Sequence, residues 1–274
     1  MQIFGLGAFV QVHADGARAD ELDAKLRELW SRCLGQKGTV PVTSQPAVAG
    51  PRDAGGLRLF LELKGTTPLR PDSGTANLAS DDLAALLCSG TQAITHALLA
   101  AQLGRLLLLH AGAVSHPETG KALVFVAEGG TGKTTLARVL GRHYGYLTDE
   151  SVAIDATHQV LPYPKPLSLR TPAGWPKQET SPDALGLRTV GGRAEVAKVI
   201  LLTRDQACSS PVTTALSTIE AITAIAPQSS SLDKLPRALH QCADLLEATG
   251  GALSVRYAEA EDLLPLAADL IGAP

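Results

Sequence analysis

The chain has 274 residues, 45% of them hydrophobic and 19% charged, with a formal net charge of -3. That length suits one large domain, or a nucleotide-binding domain with a smaller companion, and the abundance of Ala and Leu favours helices over an all-β design. No run of Lys or Arg forms the footprint that duplex nucleic acid demands, so nucleic acid is not an expected partner.

The opening "MQIFGLGAFVQVHADG" has no positive segment before its apolar residues and reaches Gln11, His13 and Asp15 quickly, which predicts a strand over 3–12 rather than a signal peptide. "ADELDAKLRELWSRCLG" then places Leu22, Leu26, Leu29 and Cys33 at helical spacing, with Gly35 as C-cap. Residues 36–56 are rich in Gly and Pro and read as loop, "LRLFLEL" at 57–63 as a strand, and "GTTPLRPDSGTANLAS" at 65–80 as a domain boundary. The expectation is a small α+β domain over 1–80, for substrate recognition or assembly, followed by a larger domain over 81–274.

Ser80, Asp81 and Asp82 suit the cap of a helix through "LAALLCSGTQAITHALLAAQLG", ending near Gly104. "RLLLLHAGAV" and "KALVFVA" are apolar runs of strand length, buried in a central sheet and separated by a turn at Pro117 and Gly120. The apolar window 103–114 is shorter than the ~20 residues a bilayer span needs, and the protein is expected to be cytoplasmic with no membrane partner. "TTLARVLGRHYG" predicts a helix closed by Gly145, and "YLTDESVAID" with "QVLPYP" further β structure. "AEVAKVILLTR" predicts a strand, helices are expected at 213–226 and 233–249, and "ALSVRY" and "AEDLLPLAADLI" close the chain as strand and helix. Cys33, Cys88, Cys208 and Cys242 lie too far apart for a CxxC pair and read as small hydrophobes in a reducing compartment.

The chemistry concentrates in "AEGGTGKTTL", residues 127–136. A triphosphate needs converging backbone N–H groups, Gly where a side chain would block approach, and a helix N-terminus aimed at the anion. Gly129, Gly130, Thr131 and Gly132 supply the turn, Lys133 reaches for the β- and γ-phosphates, and Thr134 and Thr135 open the helix, with the Thr134 hydroxyl placed for Mg²⁺. The strict pattern begins with Gly, where this chain has Ala127. The implied ligands are ATP and Mg²⁺. The second half of such a site is an acid near a strand end, and "YLTDES" offers Asp149 and Glu150, for which a solvated turn is the alternative; Asp155 reads as a hairpin residue. On spacing alone His110 is equally a structural residue or a neighbour of the phosphates.

"LHAGAV", "EGGTGKTTL", "YLTDES" and "PYPKPLSLR" occur in that order, and together they resemble the catalytic domain of the HPr serine kinase/phosphorylase family and the smaller bacterial kinases related to it. The likeness covers residues 100–175 well and the rest to 274 in layout only. It implies an α/β fold similar to phosphoenolpyruvate carboxykinase: a mixed sheet with a phosphate loop between strands, not a standard doubly wound one. Carried over, Lys133 and Thr134 would bind phosphate and Mg²⁺, Asp149 and Glu150 would share metal contact and general-base duty, and His110 would sit near the γ-phosphate. The family usually has two Asp residues where this chain has Asp149 then Glu150. Lys165 and Arg170 would serve the transferred phosphoryl or the acceptor, with a solvated basic loop as the alternative. No counterpart of the bifunctional enzyme's dephosphorylation segment is visible, so the resemblance implies a kinase acting on a hydroxyl of a peptide, protein or small molecule, Ser foremost, rather than on HPr. Family members assemble as oligomers, which implies self-association here.

The rival from another class is a nucleotide switch: "DALG" at 183–186 fits DxxG and "TRDQ" at 203–206 loosely matches a base-reading motif, but no strand precedes the first, and Arg204 stands where Lys would stack on guanine. A mechanical ATPase would need a longer apolar strand before its acids. A sensor that binds nucleotide without acceptor chemistry shares the same loop.

Overall fold

A computed structural model describes residues 1–35, 52–63 and 75–274. Of the loop expected at 36–56 and the boundary expected at 65–80, residues 36–51 and 65–74 lie outside the described residues, whereas 52–56 and 75–80 are strand. The chain divides into two units, residues 1–102 with 164–185, and residues 103–163 with 186–274.

In the first unit β1 (Gln2–Gly5) and β2 (Ala8–Asp15) form a hairpin where the sequence predicts one strand. The turn residues Leu6 and Gly7 have φ of 52° and 72°, a left-handed pair that twists the hairpin correctly. Leu6 escapes a turn reading because it is apolar and fully buried. Helix α1 (Ala19–Leu29) buries Leu22, Leu26 and Leu29 as its spacing predicts. β3 (Arg52–Leu63) and β4 (Thr75–Ser80) run parallel to β2, giving a four-stranded sheet in the order β1-β2-β3-β4.

Helix α2 (Leu83–Gln102) packs on β2, β3 and β4, burying Leu86, Ile94 and Leu98, while Gly90 lets it approach Leu61. That packing, which sequence pattern does not reveal, places α2 in the first unit and moves the division away from the boundary expected near residue 80. By length and composition α2 could cross a membrane, unlike the 103–114 window; half of that stretch is buried.

The second unit begins with β5 (Leu107–Leu109), β6 (Ala111–Ser115) and β7 (Lys121–Val126). The run predicted as one strand is broken at His110, because β5 pairs with a strand further along the chain while β6 turns to β7. After α3 (Lys133–Gly141) come β8 (Gly145–Thr148), β9 (Val152–Ile154) and β10 (Gln159–Leu161). The helix therefore stops at Gly141, and Gly145 opens a strand instead of closing a helix: a Cβ there would come within 3.1 Å of Ser115 Oγ and Thr189 O. Asp155 holds the β9–β10 turn, its Oδ1 accepting from Thr157 N, Thr157 Oγ1 and Gln159 N at 2.8, 2.8 and 3.0 Å.

The hairpin β11 (Leu167–Leu169) and β12 (Gln178–Thr180) belongs to the first unit, where β12 packs on α2. The chain then completes the second unit with β13 (Ala194–Arg204), β14 (Val212–Leu216), α4 (Thr218–Ile225), α5 (Ala238–Ala248), β15 (Ala252–Tyr257) and α6 (Leu264–Ile271). Residues 213–216, expected in a helix, form β14 because Val212–Leu216 find antiparallel partners along β15. Ser217 and Glu220 cap α4 reciprocally.

These strands make one nine-stranded mixed sheet, in which β13 pairs in parallel with β7 along one edge and shares its other edge between β10 and β15. Val124, Val126 and Val199 cluster with Ala221, Ile225 and Leu245 of α4 and α5. Leu123, Phe125 and Ile200, of opposite parity, are also buried, and α3 and α6 pack on β6, β7, β8 and β13. A sheet covered on both faces explains why "LVFV" reads as a continuous apolar run rather than an alternation. The result is a mixed α/β fold of parallel and antiparallel strands.

Candidate active site

Strand register brings the candidate residues to one end of the sheet. β6 lies between β7 and β8 and is antiparallel to both, pairing Ala111 with Val126 and Ala113 with Thr148. The loop after Val126, the acids after Thr148 and His110 before Ala111 therefore share that end. Backbone bonds tighten it: Ala111 N donates to Glu150 O at 3.1 Å and His110 N to Gln228 O at 2.6 Å.

The Gly-rich loop runs into α3 through Gly132, whose φ of 106° excludes most side chains and whose position at the helix start carries no side-chain cap. The first-turn N–H groups of Lys133, Thr134 and Thr135 are thus left facing outward from the helix end. Gly129 is different, since its φ is not left-handed and a Cβ there would meet nothing within 4 Å. The chain's own packing gives no reason for Gly at 129. Gly129→Ala should therefore leave stability within ~0.5 kcal/mol of wild type, and a larger loss in thermal melts would show that the loop itself needs glycine there.

Lys133 is buried, and its Nζ donates to Ala127 O at 2.6 Å and Glu128 O at 3.0 Å. Burial lowers its pKa, opposed by the carboxylates of Glu150 and Asp149. Thr134 Oγ1 donates to Asp149 Oδ2 at 2.9 Å, and Tyr146 donates its hydroxyl to Asp149 Oδ1 at 3.2 Å. Asp149 is 2% exposed, so it is no solvated turn residue, whereas Glu150 is half-buried. The Thr131 hydroxyl bonds Glu128 O at 2.9 Å, and the tip of the loop is held by Tyr257, whose hydroxyl donates to Thr131 O at 3.3 Å.

Burial, and next the charge of Lys133, hold His110 below the ordinary histidine pKa of 6.5, against Glu150 and Asp149. The folded chain thus binds this proton more weakly than the unfolded one. Its contribution to stability is complete above the unfolded value and is lost as pH falls from 6.5 toward the lower folded value. Melting temperatures taken from about pH 8 to about pH 5 should fall on the acid side, less steeply in His110→Gln; equal slopes would contradict this.

Lys133, Thr134, Asp149, Glu150 and His110 are brought together. Lys165 and Arg170 belong to the other unit. Lys165 is fully buried, its Nζ donating to Pro166 O at 3.1 Å, unlike the solvated loop the sequence allows, while Arg170 is exposed. Sequence pattern does not single out Tyr146 and Tyr257, since each reads as one more apolar residue in a strand. The rival switch fragments have structural partners: Asp183 accepts from Ser31 Oγ at 2.6 Å and pairs with Arg32 at 2.8 Å, and Arg204 pairs with Glu259 at 3.1 Å.

No protein-family model matches the chain, and no curated protein matches it. Among solved structures, the Hpr(Ser) kinase/phosphatase from Coxiella burnetii is similar with a TM-score of 0.31 and 15% identity, over 60% of this chain and 93% of that one. At that level of likeness the site stands on its own geometry.

Proposed function

We propose that this chain is a kinase that transfers the γ-phosphoryl group of ATP to a hydroxyl of a peptide, protein or small-molecule acceptor. One observation carries the reading: the Thr134 hydroxyl on the first turn of α3 and the Asp149 carboxylate beyond β8 meet at 2.9 Å, beside a buried lysine. A hydroxyl and a carboxylate in contact at a helix N-terminus suit a Mg²⁺·nucleotide. Among the described residues no group of three or more His, Cys, Asp or Glu could hold a metal by itself. Mg²⁺ needs none, since it is commonly bound by one or two carboxylates with substrate phosphates and water.

In this reading the loop N–H groups and Lys133 would hold the β- and γ-phosphates, and Thr134 with one of the two acids would hold the metal. Bound Mg²⁺ supplies neutralisation of charge on the phosphate oxygens. Asp149 takes the proton of the acceptor hydroxyl as that oxygen bonds to phosphorus and ADP departs. His110, neutral near pH 7, offers a hydrogen bond without adding charge.

The test is transfer of labelled γ-phosphate from Mg·ATP into a desalted host extract, separated into protein, peptide and small-molecule fractions, with Asp149→Asn alongside. Label entering one fraction with wild type alone supports the kinase and gives its acceptor class. Hydrolysis alone, or binding without turnover, supports a nucleotide switch or sensor instead.

A further inference from the structure

The Asp149 carboxylate is held from both sides, by Thr134 from the helix and by Tyr146 from the strand that precedes it. Were the alternation of β8 (Gly145–Thr148) to continue one residue beyond its end, the second contact would be unexpected, since residues three apart along a strand point to opposite faces. The β6–β8 ladder explains it. Ala113 pairs with Thr148 but Val114 pairs with Tyr146, so Leu147 is an extra residue on β8 and the register shifts there. A bulge of this kind advances the alternation of faces by one residue and re-aims the side chains beyond it, so Tyr146 and Asp149 fall on the same side. The Tyr146 ring is 1% exposed, and packing fixes its position.

We infer that Tyr146 is a positioning residue, which the Leu147 bulge aims at Asp149 so that one carboxylate oxygen is fixed and the other is directed toward the Thr134 hydroxyl. This rests on the kinase reading, with Asp149 as the base. Tyr146 touches neither acceptor nor nucleotide in this role and acts only through Asp149. Lys133, Glu150 and His110 are among the charged or titratable groups that interact within the cluster; Tyr146 adds a neutral donor, fixing orientation without changing its net charge.

The test is a double-mutant cycle. Tyr146→Phe keeps the ring and removes only the hydroxyl, and should lower kcat about tenfold, the effect of one hydrogen bond to a charged group, with KM for ATP unchanged. In an Asp149→Asn background the same change should have no further effect on the residual rate, because an amide at 149 cannot take the proton and its orientation no longer governs turnover. A loss of equal size in both backgrounds, or an unchanged kcat in the single variant, would overturn the inference while leaving the kinase reading in place. Absence of transfer by wild type would remove that reading and this one with it. Should Tyr146→Phe fail to fold, fluorotyrosine at position 146 keeps shape and hydroxyl but donates more strongly. It should then change kcat in the wild-type background alone, and equal rates would overturn the inference.

Discussion

Lys133→Ala is expected to abolish nucleotide-dependent phosphoryl transfer, a loss of about 10³-fold or more given what single donors at transferring groups contribute. The Lys133 ammonium is buried against Ala127 O and Glu128 O, and the Glu150 and Asp149 carboxylates act on it electrostatically. Without it, these carboxylates would face the incoming phosphates with no cation between them. Stability should change little, within about 2 kcal/mol, because two hydrogen bonds to carbonyls disappear together with the desolvation of a buried charge. Lys133→Arg should not restore activity, since a planar guanidinium cannot occupy a pocket shaped for an ammonium. A folded Lys133→Ala protein that retains wild-type turnover would contradict the assignment of this lysine to the phosphates.

Asp149→Asn is expected to lower turnover by about 10²–10⁴-fold, the usual range for a general base, while nucleotide affinity stays within a few-fold. The amide is tolerated sterically: its oxygen accepts from one of the two hydroxyls, and the other rotates to accept from the amide NH₂. Weakening of binding and turnover together, measured by calorimetry and single-turnover kinetics, would instead assign Asp149 to the metal alone and pass the base to Glu150. Glu150 is half-buried, and its backbone carbonyl is already anchored by Ala111 N at 3.1 Å.

How much of the fold and site is legible in the sequence depends on the range of the interaction. Residues 127–136 can be read directly, because the glycines, Lys133 and Thr134 act within one strand–loop–helix unit. The acids after β8 are legible as candidates only. The meeting of Asp149 with Thr134 follows from β6 lying between β7 and β8, a pairing no local pattern encodes. His110 is ambiguous because an unbroken apolar run hides the place where the strand changes partners. Tyr146 is invisible for a related reason, since a bulge at Leu147 is a property of the ladder and not of the strand's own residues. The assignment of α2 and of residues 164–185 to the first unit likewise rests on long-range packing.

The central claim is that the loop, Lys133, Thr134 and Asp149 form one Mg·nucleotide site. Calorimetric titration of the purified chain with ATP, with and without Mg²⁺, tests it most directly, with Lys133→Ala as control. The account predicts saturable binding at one site per chain, strengthened by Mg²⁺ and lost in Lys133→Ala. No heat of binding at millimolar ATP from a folded wild-type protein, or equal binding by the Lys133→Ala variant, would contradict it.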